Sequence, residues 1–166
     1  VKSTNMTDTL AALQCSARNN LSAYQEQMQR FENKWEDTTL VMDKWLTIAA
    51  TISSEDVYQQ LDTLLAHSLF TLTNPNRARS LIGAFTMMNP RYFHCVSGRG
   101  YKFLTDQLIE LNTINPQVAS RLITPLIQFK RFDLERQKLM KQQLERLNKI
   151  DNLSNDLKEK LELALT

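Results

Sequence analysis

Glycine is scarce in this 166-residue chain, with 3 residues, and proline is nearly so, with 4. So few breakers leave long stretches free to run as helix. Cysteine occurs twice, at Cys15 and Cys95, with no CxxC spacing. That excludes a disulfide framework and a zinc ribbon, and it predicts two buried or half-buried free thiols in a reducing, cytoplasmic setting. Histidine also occurs twice, at His67 and His94. Neither has a His or Glu partner at the spacing of HExxH, which sets two imidazoles on one helical face beside a carboxylate base. There is no GxSxG elbow and no Walker phosphate loop. No apolar run approaches the roughly 20 residues that a membrane span needs. The opening VKSTNMTDTL lacks the apolar core of a signal peptide, and it begins with Val, which predicts a piece processed or cut from a longer chain. The net charge of +2 points to no partner by itself.

What the chain does have is apolar residues at helical spacing. Leu21, Tyr24, Met28, Phe31 and Trp35 form one stripe, and Val41, Trp45, Ile48 and Ile52 the next. Val57, Leu61, Leu64 and Leu65 follow, opened by Ser53 and Asp56 in a capping-box-like start. Further stripes are Ala78, Leu81, Ile82, Phe85; Tyr101, Leu104, Leu108, Leu111; Val118, Leu122, Leu126, Phe129; and Met140, Leu144, Leu147. A short first helix over about Thr7 to Cys15 and a last one from Ser154 through Leu165 complete the set. No segment alternates with the two-residue period of a strand. Asn74-Pro75, Asn89-Pro90 and Asn115-Pro116 each put an Asn cap before a Pro at the first helical position. Pro125 lies inside its stripe and predicts a kink or split near Leu122.

NPNRARSLI (74–82) aligns with NPQVASRLI (115–123), so that Pro75, Ala78, Leu81 and Ile82 fall on Pro116, Ala119, Leu122 and Ile123. A period near 41 residues with two helices in each is HEAT or armadillo spacing. The expected fold is therefore all-α: stacked antiparallel helix pairs in a HEAT/armadillo-like superhelical solenoid, with residues 1–166 as one helical unit. A solenoid needs capped ends. The last helix supplies a cap, whereas the first end lacks one, so the fragment is expected to expose an apolar face and to self-associate weakly.

Few residues suggest chemistry. SGRGY (97–101) reads as a connection into the helix at Tyr101. His94-Cys95 lacks an orienting third group. Residues 130–149 are locally basic, with Phe129 and Phe132 beside them, and read as a solvated, ion-paired helix face rather than a nucleic-acid stripe. Gln117 and Arg121 are four apart and share a face, and Arg79 holds nearly the equivalent place one repeat earlier. Stacking would bring these faces together, as a carboxylate-seeking surface or as bonds to helix ends and acids.

NMTDTLAAL (5–13), LVMDKW (40–45), NPNRARSLIGAF (74–85), NPQVASRLITPLI (115–127) and FDLERQKLMKQQLERL with LSNDLKEK closely resemble the C-terminal part of bacterial aminopeptidase N, the alanyl aminopeptidase group of zinc metallopeptidases. The resemblance runs over essentially the whole chain. It implies the second half of a large helical domain that closes over a thermolysin-like catalytic domain of the same parent chain. It implies zinc bound there by HExxH and a downstream Glu, and a substrate amino terminus bound by GxMEN. None of these motifs occurs here, so the resemblance implies no catalytic residue and no zinc ligand in this piece. Arg79, Gln117 and Arg121 match chamber-facing positions, and their implied role is to attract and orient peptide substrate. No membrane or nucleic-acid partner is expected. The competing readings are an autonomous HEAT-like adaptor for protein or nucleic acid, and a self-contained enzyme using His94 and Cys95.

Overall fold

Side-chain caps start several helices where the sequence puts them. Asn74 accepts the N–H groups of Asn76 and Arg77, Asn115 that of Val118, and Ser154 that of Leu157. Asp133 adds a cap through Arg136 N–H. These contacts come from a computed structural model that describes residues 5–166. The helices are α1 (Met6–Arg18), α2 (Tyr24–Trp35), α3 (Thr39–Ala49), α4 (Val57–Leu65) and α5 (Pro75–Ala78). A π-helical turn, Arg79–Gly83, carries α5 into α6 (Ala84–Met88). Then come α7 (Pro90–Phe93), α8 (Arg99–Ile114), α9 (Pro116–Leu122) and α10 (Thr124–Ile127). A 3-10 turn, Phe129–Arg131, leads to α11 (Leu134–Asn148) and α12 (Asn155–Leu165). There is no strand among the described residues.

The expected all-α stack is what forms. One row runs α1, α3, the π-helical turn, α9, α12, each member packed on the next. The others pack on that row: α2 on α1 and α3, α4 on α3, α8 on α9, and α11 on α12 and α8. The predicted stripes supply the core: Tyr101, Leu104, Leu108, Leu111, Met140, Leu144 and Leu147 are all fully buried. The repeat likeness is a likeness of core residues, since Ala78, Leu81 and Ile82 and their counterparts Ala119, Leu122 and Ile123 are all buried. Both helices also depart from α geometry at the same place in the repeat. The first does so through the π turn, and the second through the break between α9 and α10 that Pro125 imposes.

Several local expectations are corrected. Ser53 makes no capping box; its N–H goes to the Ala17 carbonyl, while Ser54 Oγ accepts Asp56 N–H and donates to Asp56 Oδ2. Asn89 does not cap α7. Its buried amide donates instead to the carbonyls of Ala50 and Ile52, tying α7 to the end of α3. Leu21 lies before α2 and is 51% exposed, because that helix starts only at Tyr24. Both cysteines are free thiols, with Cys95 partly buried as expected and Cys15 exposed, because it sits on the outer face of α1.

Two glycines shape the turn between α7 and α8. Gly98 caps α8 at φ 70°, the left-handed region that an L side chain enters at a cost. Gly100 is there for space: a Cβ would lie 2.3 Å from the Phe93 carbonyl oxygen and 2.7 Å from its Cα. Gly100→Ala should therefore destabilise the chain by about 3 kcal/mol, as backbone must move, and Gly98→Ala by only about 1 kcal/mol. Urea unfolding of the two variants checks the order; Gly100→Ala at wild-type stability would contradict the contact.

Candidate functional site

The break between α9 and α10 leaves a hollow of about 350 Å³. Arg121, in the last turn of α9, stands at its edge with Leu122, Thr124, Pro125 and Gln128. Thr86 and Met87 close it from α6, and His94 and Phe132 from beyond α7 and α10. The wall is mainly apolar. Its polar groups are donors or neutral; none is a carboxylate.

His94 is held in one orientation. Its Nδ1 lies 3.0 Å from the Tyr101 hydroxyl, and its ring stacks on Phe132 with centroids 4.3 Å apart. Phe93 meets the ring edge-on at 4.8 Å. Burial pushes the Tyr101 hydroxyl up to about 12, so it keeps its proton. Burial, helped by nearby Arg136, lowers the His94 pKa and favours neutral imidazole. Nδ1 and the Tyr101 hydroxyl thus share one hydrogen bond between neutral groups. Arg136 locks the backbone here, donating from Nε to the His94 carbonyl at 2.8 Å and from Nη1 to Asp133 at 2.7 Å.

The three residues singled out by spacing are placed as follows. Arg121 is exposed and its side chain has no bonding partner among the described residues. Gln117 is exposed one turn earlier on α9. Arg79 is exposed on the π-helical turn, which packs against α9, but its guanidinium donates to Asn76 Oδ1 at 2.8 Å. Only Arg121 of the three lines the hollow, and no direct bond joins them among the described residues. Spacing missed Tyr101, Phe132 and Gln128 as neighbours of this site. No local signal marks them, because they reach it across the α7–α8 turn and the α9–α10 break.

A second, wider hollow of about 1010 Å³ lies between α2 and α4. Its main polar groups are matched to one another. His67 Nε2 is 2.8 Å from Glu32, Nδ1 accepts Leu69 N–H, and Gln60 donates to the Tyr24 hydroxyl. Zinc fits neither place: no three His, Cys, Asp or Glu side chains stand together as a metal site among the described residues. Within the basic stretch, Arg136 pairs with Asp133 and Arg146 with Asp106. Phe129 is buried and Phe132 is stacked on His94, so neither is presented to a nucleobase. No helix among the described residues is long and apolar enough to cross a membrane.

With the stack and the hollow in place, the chain can be compared with known proteins. Over residues 1–166 it matches a family described as a domain of unknown function (DUF3458_C) of ARM repeats. The chain belongs to that family. Over 161 residues it is 53% identical to aminopeptidase N of Haemophilus influenzae and 50% identical to that of Escherichia coli, matches that cover 97% of this chain and 18% of each relative. Aminopeptidase N of Caulobacter vibrioides is 36% identical over 160 residues, again 18% of its length. Among solved structures, Legionella pneumophila aminopeptidase A in complex with aspartic acid superposes with a TM-score of 0.91 at 29% identity, over 98% of this chain and 19% of that one. The chain thus spans about a fifth of these aminopeptidases, and what it resembles is their C-terminal domain.

The lowered pKa of His94 carries a prediction for this ARM-repeat domain. Below its ordinary value of 6.5, the unfolded chain takes up a proton that the folded chain refuses. The stability contributed by His94 is therefore present above pH 6.5 and is lost as the pH falls from there to the folded-state value. His94→Gln should flatten that part of the curve in urea unfolding between about pH 8 and about pH 5. An identical slope in the two proteins would contradict it.

Proposed function

We propose that this chain forms part of the helical wall of an aminopeptidase N. In that setting it encloses the active-site chamber and orients peptide substrate, without performing bond chemistry. The observation that supports this most is the sequence identity to three bacterial aminopeptidases N along nearly all of the chain. Beside it stands an arginine at the mouth of a hollow with no structural partner.

In this reading zinc would be held by the parent's catalytic domain and would supply Lewis-acid chemistry there. This chain's part is electrostatic. Arg121 offers a planar fork of donors to a peptide carboxylate, Gln117 adds an amide one turn away, and Arg79 adds positive charge from the adjoining π-helical turn. Enclosure removes competing water and strengthens these contacts. The partners are the catalytic domain of the same chain and the peptide, in the cytoplasm. Weak self-association of the isolated piece is part of the same proposal.

Arg121→Ala in the full-length enzyme should raise the KM for peptides by about tenfold or more, the scale of one lost charge-assisted hydrogen bond. It should spare an alanyl chromogenic amide, which has no carboxylate to reach for. Equal loss on both substrates would overturn the assignment. The 166-residue chain alone should neither bind zinc nor cleave the amide, whereas the full-length chain does both. Metal and turnover in the piece alone would move the chemistry back to His67, His94 and the cysteines.

A further inference from the structure

A third hollow, of about 410 Å³, lies between the last turn of α4, the connection that follows it, and α8. Asp62 stands on one wall with Leu65, and Gln107 on the other with Glu110. Each pair is spaced i, i+3 and so shares a helix face. Phe70 and Leu72, both packed on the core, close the hollow from the connection. No lysine or arginine lines it. The Asp62 and Glu110 side chains are exposed and meet no cation among the described residues. Gln107 is only 6% exposed, yet its Oε1 is buried without a hydrogen-bond partner. Folded chains keep few such groups, because each costs stability. Asp43 Oδ1 and Arg77 Nη1 are also buried without a hydrogen bond, but they face each other as an ion pair. Gln107 has no such counterpart among the described residues.

Two unpaired carboxylates and an unpartnered amide oxygen are all acceptors for a cation. The apolar remainder of the wall decides which kind. A hydrated metal ion gains nothing from Leu65, Phe70 and Leu72, and no three His, Cys, Asp or Glu side chains stand together as ligands among the described residues. An alkylammonium suits both halves, with N–H donors for the oxygens and a carbon chain to cover the apolar wall. We infer that this hollow binds a primary alkylammonium, a short diamine or polyamine, with its head on Asp62, Glu110 and Gln107 and its chain along Phe70 and Leu72. The inference is independent of the role proposed for Arg121, which lines a different hollow.

The test titrates the full-length enzyme with cadaverine at low ionic strength, where exposed charges are least screened. Calorimetry reads the affinity, and hydrogen–deuterium exchange maps where the ligand sits. Binding should be saturable and should slow exchange at the end of α4, in the connection after it and in the second half of α8. Pentan-1-ol, of similar length but uncharged, should not bind. Asp62→Asn and Glu110→Gln should each weaken cadaverine about threefold, the scale of one exposed ion pair. Gln107→Leu should weaken it about tenfold, the scale of one hydrogen bond to a charged group, and yet leave Tm unchanged or raised, because it removes a buried amide that has no partner. Circular dichroism of each variant controls for folding. No saturable binding, or protection confined to other segments of the enzyme, would overturn the site. So would an affinity unmoved by Asp62→Asn and Glu110→Gln together, or pentan-1-ol binding as well as cadaverine. Magnesium ion protecting the same segments at lower concentration than cadaverine would overturn the alkylammonium in favour of a metal.

Discussion

The Arg121 side of the molecule depends on one close approach, the Cα of Gly100 against the backbone of Phe93. That approach draws the first turn of α8 onto α7 and places Tyr101 edge-on to Phe93 at 5.4 Å. Phe93 in turn meets Phe85 at 5.9 Å, and Phe85 meets Phe103 at 5.3 Å, all near perpendicular. Edge-to-face pairs of this kind add about 1 kcal/mol each beyond area burial. Tyr101 then has only one polar task left, its hydroxyl on His94. The imidazole inherits its position from the backbone contact between Phe93 and Gly100, and the ring forms part of the wall of the hollow.

The other half of the stack is held differently. Arg77, on α5, is buried and pairs with Asp43 of α3 at 3.1 Å, and Thr47 of α3 donates to the Ser80 carbonyl on the π-helical turn. A buried ion pair adds little net stability, but losing one partner strands a charge and costs about 3–5 kcal/mol. Its effect is therefore on register: α3 can meet the α5–π–α6 segment in one way only. Asn89 reinforces this by donating to both the Ala50 and Ile52 carbonyls just past the end of α3. These ties, and the packing of Gly83 against Leu122 on the other side, keep the π-helical turn in place.

Much of the fold was legible because it depends on local signals. Helical spacing picked out the core residues of α8 and α11, the Asn-Pro pairs marked the starts of α5 and α9, and Pro125 marked the break before α10. Misreadings occurred where a side chain serves a distant partner. Asn89 has the sequence signature of a cap but bonds across to α3, which no local pattern reports. Ser53 stands at capping-box spacing from Asp56, but its neighbour Ser54 makes the bonds to that residue. The site was half legible for the same reason. The four-residue spacing put Gln117 and Arg121 on one face, but Thr86, His94 and Phe132 come from three separate segments, and only tertiary packing assembles them.

The arginines divide by what their side chains meet. The chain has ten. Arg30, Arg77, Arg136 and Arg146 pair with carboxylates. Arg79 and Arg131 bond to Asn76 and Gln128, and Arg91 and Arg99 lie over the rings of Tyr92 and Tyr58. That leaves Arg18 and Arg121 without a side-chain partner among the described residues. Arg18 ends the 13-residue α1, where a cation complements the helix macrodipole and needs no other role. Arg121 likewise lies in the last turn of its helix, the seven-residue α9, and the Arg121 carbonyl accepts the Thr124 hydroxyl. An exposed guanidinium with no partner among the described residues therefore stands at the rim of a mainly apolar hollow. The same block of sequence shows the contrast: Arg77 pairs with Asp43 inside the fold, and Arg121 has no side-chain partner among the described residues.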